Sequence, residues 1–199
     1  MLAPPPPGLS ELALRTEVVL IPVKSFRHAK RRLGGSMPDH ARAELARSMA
    51  THVVAACAPL PVAVVCDDPD VAAWAGGVGA TVLWEPGLGL NGAVTSGVER
   101  LAAAGVRWVT VAHGDLPRAR RLDQLSGFDG VTLVPDRRDE GTNVIRVLAR
   151  AGFRFSYGPG SFRAHLAEAF RLGGRVRVLR TPILAYDVDW PDDVLELNT

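Results

Sequence analysis

An almost uninterrupted run of apolar side chains, VVLIPV at residues 18–23, follows Glu17 near the start of the chain. Such a run is typical of a strand buried on both faces of a parallel sheet, because a strand with one solvated face alternates polar and apolar residues. Five cations follow within nine residues: Lys24, Arg27, Lys30, Arg31 and Arg32. A basic loop at the carboxyl end of a parallel strand is well placed to bind an anion. The alternative is a solvated helix face, the usual location of a basic run.

Segments of strand type and helix type alternate after this loop. Strands are predicted at residues 61–66, 81–84 and 107–112, and helices at residues 38–56, 67–76 and 91–104. Further strands are predicted at residues 130–135, 143–148 and 175–179, and further helices at residues 161–172 and from Pro191. This pattern predicts an α/β fold with a mixed, mostly parallel sheet flanked by helices, and with an antiparallel part among the later strands.

The composition is that of an ordinary globular protein, 47% hydrophobic and 22% charged over 199 residues. The net charge of only +2 argues against a nucleic-acid partner, and no apolar run is long enough to predict a membrane span. Cys57 and Cys66 have neither disulfide-scaffold nor zinc-site spacing, which favours a reducing, cytoplasmic location. We expect residues 1–16, with four consecutive prolines, to form a loose arm and residues 17–199 to form a single domain.

A glycine-rich turn, EPGLGLNGA at residues 85–93, lies between a predicted strand and a predicted helix. Gly87, Gly89 and Gly92 spell GxGxxG, the fingerprint of a dinucleotide-binding fold. That fingerprint normally follows the first strand of its unit, whereas here it follows the third predicted strand. A turn whose backbone amides, together with Asn91, approach a nucleotide base fits this position better.

Carboxylates follow two of the predicted strands. The group after residues 61–66 has the arrangement of a helix N-cap and an acidic first turn, which is the favoured interpretation for Asp67, Asp68 and Asp70. Asp115 follows the strand at residues 107–112, a typical place for a ligand of a divalent cation. It could equally cap a helix beginning near Pro117.

Two more carboxylates, Asp187 and Asp189, are two residues apart in a segment predicted to be extended, and so point to the same side. Their charges repel unless a cation lies between them. The basic loop offers cations for phosphates, and the aspartates offer carboxylates for Mg²⁺. Both sets follow strand ends that could share one edge of a sheet, which predicts phosphoryl or nucleotidyl transfer. The chain has no GxxxxGK[ST] motif and therefore is not a P-loop enzyme.

A turn at residues 158–160, GPG, precedes the helix predicted from Ser161. The amino terminus of that helix would present free N–H groups to an anion. Helix capping alone would also explain Ser161. The polar loop at residues 141–143 could converge with this turn, which favours the anion site.

Six segments occur in order along nearly the whole chain: IPVKSFRHAKRRL, GLNGA, HGDLP, DEGTN, GPGSFRAH and DVDWPDD. Together they resemble the 2-phospho-L-lactate or phosphoenolpyruvate guanylyltransferase family, whose actinobacterial members are taken to use phosphoenolpyruvate in making coenzyme F420. The resemblance implies a nucleotidyltransferase-like, Rossmann-like α/β fold of the GT-A type, GTP as donor, Mg²⁺ as cofactor and a small phosphorylated carboxylic acid as acceptor. It also implies a downstream deazaflavin transferase that would consume the product.

The resemblance also implies roles for individual residues. The triphosphate would be held by Lys24, Lys30 and Arg31, and the guanine pocket would be lined by Gly89 and Asn91. The metal ligands would be Asp115, Asp187 and Asp189, and the acceptor contacts would be Thr142, Gly158 and Ser161. The predicted catalytic set is Asp115 with Lys24 and Lys30.

The expected reaction is an in-line attack by the acceptor's phosphate on the α-phosphorus of GTP, with release of pyrophosphate. The sequence leaves the acceptor open among phosphoenolpyruvate, 2-phospho-L-lactate and 3-phosphoglycerate. Two other classes also stay open: a related nucleotidyltransferase that uses another base or a sugar phosphate, and a non-catalytic nucleotide-binding protein.

Overall fold

The centre of the fold is a seven-stranded sheet. The computed structural model describes residues 8–13 and 15–196, without the side chains of Leu9 and Arg31. The strands are β1 Glu17–Pro22, β2 Val62–Cys66, β3 Thr81–Trp84, β4 Trp108–Ala112, β5 Val131–Pro135, β6 Thr142–Leu148 and β7 Val176–Val178. The helices are α1 Leu9–Leu12, α2 Asp39–Ala56, α3 Pro69–Gly77, α4 Gly89–Ala103, α5 Ser161–Arg171, α6 Pro182–Ala185 and α7 Pro191–Leu195. Short 3₁₀ turns lie at Arg31–Leu33 and Leu122–Leu125.

The strand order is β3-β2-β1-β4-β6-β5-β7. Within the described residues, β6 alone runs antiparallel to its neighbours β4 and β5, and the other strands run the same way. The chain builds outward from β1 to β3 and then returns to place β4 on the other side of β1. A crevice therefore opens between the carboxyl ends of β1 and β4, where open α/β sheets bind ligands.

Strand β1 is buried on both faces, as its sequence predicts. Val18 and Leu20 pack with α4 and α5 on one face of the sheet, while Val19 and Ile21 pack with α2 and α3 on the other. All four side chains are fully buried. Each contributes about 1.5–3 kcal/mol by leaving water, so this strand anchors both layers and fixes the position of the loop that follows it.

The predicted mixed, mostly parallel sheet is confirmed, and the predicted strands agree with the observed ones to within one or two residues. The prediction of a helix beginning near Pro117 is wrong. The chain after Asp115 forms turns and irregular backbone until the 3₁₀ turn at Leu122–Leu125. Arg121, immediately before that turn, has a left-handed backbone with φ +53° that no α-helix accepts. Asp115 therefore does not cap a helix.

The N-cap interpretation is correct at one predicted position and wrong at another. Asp68 caps α3, its Oδ1 accepting the N–H groups of Asp70 at 2.9 Å and Val71 at 3.3 Å. Ser161 does not cap α5, because the N-cap residue is Gly160 and no side-chain capping bond forms. The chain enters α5 through a left-handed backbone at Gly160, φ +72°, which places Ser161 inside the helix as its first residue.

Part of the predicted loose arm is packed. Leu12, in the single turn of α1, is 1% exposed and belongs to the main core cluster. The prediction for residues 1–7 and 14 lies outside the described residues. No helix in the described ranges, 8–13 and 15–196, is both long and apolar enough to cross a membrane.

Candidate active site

A cleft of 490 Å³ opens at the carboxyl edge of the sheet. It brings together six of the residues predicted from the sequence, which are Asp115, Thr142, Gly158, Ser161, Asp187 and Asp189. These residues come from the turn after β4, the start of β6, the turn before α5, the first residue of α5 and the segment before α7. Parallel strands end at one edge and the antiparallel β6 begins there, so residues far apart in sequence meet at this cleft.

Three aspartates concentrate negative charge in the cleft. Asp187 and Asp189 both line it, as their spacing predicts, while Val188 between them is fully buried. Their segment is fixed by Asp193 of α7, whose Oδ2 accepts the N–H of Asp189 at 2.8 Å. Burial, together with the charges of Asp115 and Asp189, raises the pKa of Asp187 to about 6. The mutual repulsion of these carboxylates therefore favours a cation among them.

Lys30 supplies a positive charge to this cluster. Its Nζ donates to Asp115 Oδ2 at 2.5 Å and to Asp189 Oδ1 at 3.1 Å, and its side chain is only 9% exposed. Burial alone would lower the pKa of Lys30, but the two carboxylates outweigh burial and raise that pKa above its usual value. The backbone at Lys30 is left-handed, φ +52°, a conformation that disfavours a residue with a side chain and turns this lysine inward.

The donor chemistry of the cluster suits Mg²⁺, which prefers carboxylate oxygens. Asp115 Oδ1 is buried and has no hydrogen-bond partner, so one carboxylate oxygen of the cluster lacks a donor or cation. Among the described residues, however, no three carboxylate, imidazole or thiol groups converge closely enough to form a ready-made metal site. The ammonium of Lys30 lies between Asp115 and Asp189, where a divalent cation would otherwise balance their charges.

Two of the residues predicted to bind GTP lie to one side of the cleft. Lys24 and Gly89 line a shallow groove of 40 Å³ whose wall shares Leu90 with the cleft. Gly89 begins α4 with a left-handed backbone, φ +64°, so the predicted close approach of backbone to a base is sterically open there. The Arg31 side chain lies outside what the structure describes. The GTP-binding roles remain predictions.

Asn91 joins α4 to the turn before α5. Its Oδ1 accepts the N–H of Tyr157 at 2.6 Å, and its Nδ2 donates to the carbonyl of Tyr157 at 3.1 Å. This pair of bonds fixes the backbone one residue before Gly158, so Asn91 positions the acceptor side of the cleft. A guanine contact would have to use the remaining N–H or lone pair of the amide.

The first amides of α5 are not free, contrary to the expectation of an open helix terminus. The N–H of Ser161 donates to the carbonyl of Gly158 at 3.1 Å, and the N–H of Phe162 donates to the carbonyl of Glu140 at 3.1 Å. The residue just before the loop at 141–143 therefore bonds to the helix start. Residues 141–143 line the same cleft as the turn at residues 158–160, so their predicted convergence is confirmed. An anion at this place has fewer backbone donors than a bare helix terminus provides.

Sequence reasoning missed His165, which lies behind the acceptor side of the cleft. His165 is 0% exposed, and its ring bonds to the Thr142 hydroxyl at 3.0 Å and to the Ser156 N–H at 2.8 Å. The signal in the sequence is its spacing: His165 is four residues after Ser161, hence on the same face of a helix. Sequence analysis also missed Tyr157, whose ring lies between His113 and His165.

The buried His165 makes stability depend on pH. Burial, followed by the nearby His113, lowers the pKa of His165 from 6.5 to about 4, so between these values the unfolded chain binds a proton that the folded protein does not. The free energy of unfolding should therefore decrease by about 2–3 kcal/mol from this residue when pH falls from 7 to 4.5. Urea unfolding at both pH values should show a smaller decrease for His165→Asn than for the wild type. Equal decreases would contradict this assignment.

The sequence matches the family model described as guanylyl transferase CofC like over residues 17–198. The chain belongs to this family. A phosphoenolpyruvate guanylyltransferase of Rubrobacter xylanophilus is 36% identical over 188 residues, covering 90% of this chain and 92% of the relative. One of Sphaerobacter thermophilus is 33% identical over 191 residues, covering 92% of each. Membership of the CofC-like family confirms the resemblance drawn from the six segments and the prediction of a guanylyltransferase.

Solved structures confirm the nucleotidyltransferase-like fold. A protein of Desulfovibrio desulfuricans G20 assigned as a nucleotide-diphospho-sugar transferase has a TM-score of 0.73 and 19% identity, covering 92% of this chain and 86% of that one. The 4-diphosphocytidyl-2C-methyl-D-erythritol synthase of Anaerococcus prevotii has a TM-score of 0.59 and 10% identity, covering 92% and 97%. At such identities the likeness concerns the fold alone.

Proposed function

We propose that this CofC-like protein transfers GMP from GTP to the phosphate of phosphoenolpyruvate and releases pyrophosphate. The observation that carries the proposal is the cleft itself, in which the aspartate cluster lies beside Thr142, Gly158 and Ser161. A phosphate held near the last three residues would be next to the charges that bind a nucleotide's metal. The relatives that cover about 90% of the chain are named phosphoenolpyruvate guanylyltransferases, which supports this acceptor over 2-phospho-L-lactate.

Asp115, Asp187 and Asp189 are the residues that would hold Mg²⁺. The ion supplies charge neutralisation for the transferring phosphoryl group and its leaving pyrophosphate. Lys30 would then exchange its carboxylate partners for triphosphate oxygens, joining Lys24 and Arg31 on the donor. Such an exchange would keep the lysine paired both without and with bound GTP, which limits the cost of burying its charge.

The chain's own contribution to the reaction is positioning and charge. Gly89 and Asn91, at the start of α4, would hold the guanine, while Thr142, Gly158 and Ser161, which line the cleft, would hold the acceptor. This arrangement would bring the acceptor's phosphate oxygen into line for attack on the α-phosphorus. No general base is required, since the second pKa of such a phosphate is near 6 and its oxygen is ionised at neutral pH.

We further propose that residues 17–199 act as one guanylyltransferase domain in the cytoplasm. The product would be a mixed diphosphate of guanosine and enolpyruvate, activated by the phosphoanhydride bond that joins its two phosphates. A deazaflavin transferase is the partner expected to consume it.

Pyrophosphate release from GTP and Mg²⁺ tests the proposal directly. Phosphoenolpyruvate, 2-phospho-L-lactate and 3-phosphoglycerate are supplied separately, with ATP, CTP and UTP as control donors. We expect release with GTP and phosphoenolpyruvate, and at least tenfold less with the other acceptors and donors. Preferred release with another acceptor or another base would replace that part of the proposal. No release by a protein that still binds GTP would contradict guanylyl transfer to these three acids.

A further inference from the structure

His165 is enclosed by α5 and the aromatic residues behind the cleft. The ring of Tyr157 contacts it edge-on, with centroids 4.8 Å apart, and the ring of Phe153 contacts it at 5.8 Å. The side chain is fully buried, so it does not touch a ligand in the cleft. Both of its ring nitrogens nevertheless make hydrogen bonds, to Ser156 and Thr142, and the second of these residues lines the cleft.

The hydrogen bonds determine which nitrogen of His165 carries the proton. The Ser156 backbone N–H can only donate, so Nε2, 2.8 Å away, accepts and carries no proton. Burial lowers the pKa of His165, and the ring is therefore neutral at physiological pH. A neutral imidazole has one N–H, which must then be on Nδ1 and must donate to Thr142 Oγ1 at 3.0 Å.

The proton on Nδ1 in turn sets the role of the Thr142 hydroxyl. A hydroxyl that accepts from His165 keeps its own proton for another acceptor. Within residues 8–13 and 15–196, the structure shows Thr142 Oγ1 bonded to His165 and donating to no other group. Thr142 is only 2% exposed, and it is one of the residues that line the cleft. An anionic oxygen placed there would receive this proton in a hydrogen bond.

We infer that His165 is a positioning residue for the acceptor, because its Nδ1–H holds the Thr142 hydroxyl as a hydrogen-bond donor toward an anionic oxygen of the acceptor. The inference rests on the proposed function for the nature of that acceptor. Without the imidazole N–H, the Thr142 hydroxyl is free to rotate and to accept instead of donating. Acceptor binding then weakens, while the donor side of the cleft, with Lys24 and Gly89, is unaffected.

A matched pair of variants isolates the Nδ1–H. His165→Phe and His165→Asn both remove the acceptor of the Ser156 N–H, but asparagine places an amide N–H near the position of Nδ1. We expect His165→Phe and Thr142→Val each to raise the KM for phosphoenolpyruvate about tenfold, the worth of one hydrogen bond to a charged group. His165→Asn should stay within about threefold of the wild type. The KM for GTP should be unchanged in all three.

The double variant His165→Phe with Thr142→Val tests whether the two residues act as one unit. If His165 acts through Thr142, the double variant should raise the acceptor KM no further than either single variant. Three outcomes would each overturn the inference. The first is a double variant whose rise in acceptor KM is the product of the two single rises; the second is an equal rise in the KM for GTP; the third is an unchanged acceptor KM in folded His165→Phe. Thermal unfolding of every variant identifies those that are folded.

A measurement on the unmodified protein keeps the inference testable even if His165→Phe does not fold. The ¹⁵N chemical shifts of the imidazole nitrogens distinguish a protonated Nδ1 from a protonated Nε2, and His165→Asn assigns the signal among the five histidines. A protonated Nδ1 at pH 7 is expected, and a protonated Nε2 would overturn the inference. Failure of the proposed function would give a different result from failure of this inference. The wild type would then show no reaction with phosphoenolpyruvate, whichever nitrogen of His165 carries the proton.

Discussion

Asp115→Asn is expected to lower the rate of pyrophosphate release by about two to three orders of magnitude, the size of effect that follows the loss of one group stabilising charge in a transition state. Asp115 lies at the end of β4, bonded to Lys30 and with one oxygen buried and unpartnered. Asparagine keeps the shape of the side chain but removes its charge. Turnover at saturating GTP and acceptor measures the loss, and Asp189→Asn should behave similarly.

Asp70, which lies near the same basic loop, provides the control for loss of a carboxylate. Asp70 also pairs with a cation of that loop, Arg27, but both partners are exposed and lie outside the cleft. Asp70→Asn should keep turnover within about twofold, because exposed ion pairs contribute little. Titration of Mn²⁺ into the ligand-free proteins adds a readout independent of turnover, with weaker binding expected only for Asp115→Asn. Near-normal turnover in folded Asp115→Asn would remove this residue from the mechanism.

The positions of the three aspartates proposed to hold Mg²⁺ were predictable from local sequence patterns. Asp115, Asp187 and Asp189 follow from a local pattern, in which a carboxylate comes just after a buried strand or on one side of an extended segment. The order and direction of the strands are then enough to bring the three aspartates to one edge of the sheet. Thr142 and Gly158 also reach this edge because β6 runs antiparallel to β4 and begins there.

The basic loop could not be understood from its own sequence. Both sequence interpretations, an anion site and a solvated helix face, treat its cations as free, yet the loop forms turns and a 3₁₀ segment in which three cations have carboxylate partners. The pairs are Arg27 with Asp70, Lys30 with Asp115 and Asp189, and Arg32 with Asp189. These partners are as many as 159 residues apart in sequence, so only the folded sheet brings them together.

Hydrogen-bond roles were equally hidden from the sequence. Asn91 in a glycine-rich turn suggests a base contact, but its amide spans to the backbone of Tyr157, 66 residues away. His165 looked like an ordinary helix residue, yet two bonds from opposite sides fix its tautomer. Such assignments depend on which donor meets which acceptor, and residue spacing does not determine that for groups on separate elements of the fold.

Glu17→Gln is expected to lower the free energy of unfolding by about 3–5 kcal/mol, because it leaves the Arg146 guanidinium buried without its carboxylate. Glu17 begins β1, at the end of the sheet opposite to the cleft, and is 6% exposed against 3% for Arg146. Its Oε1 accepts from Arg146 Nε and from the Thr110 hydroxyl, each at 2.9 Å, while its Oε2 accepts from the Ser126 hydroxyl at 2.8 Å. A glutamine cannot satisfy all these donors.

Urea unfolding measures the loss, and an exposed pair serves as the control. Asp123→Asn breaks the ion pair with Arg121 and should cost much less stability than Glu17→Gln, because exposed ion pairs contribute little. Replacing Glu17 and Arg146 together by leucine and methionine should recover most of the stability lost by Glu17→Gln, since no unpaired charge then remains. If Glu17→Gln cost no more than Asp123→Asn, the buried pair would not stabilise the sheet in the way its contacts indicate.

The same variant separates stability from catalysis. Glu17 lies at the amino end of β1 and the aspartate cluster at the carboxyl edge, so pyrophosphate release per folded molecule of Glu17→Gln should stay within about twofold of the wild type. Asp115→Asn should show the reverse, a folded protein with little turnover. The two carboxylates differ in their surroundings: Glu17 is fully paired by donors within the fold, whereas Asp115 keeps one oxygen without a partner. We therefore expect the charge at Asp115, and not the charge at Glu17, to act on a bound ligand.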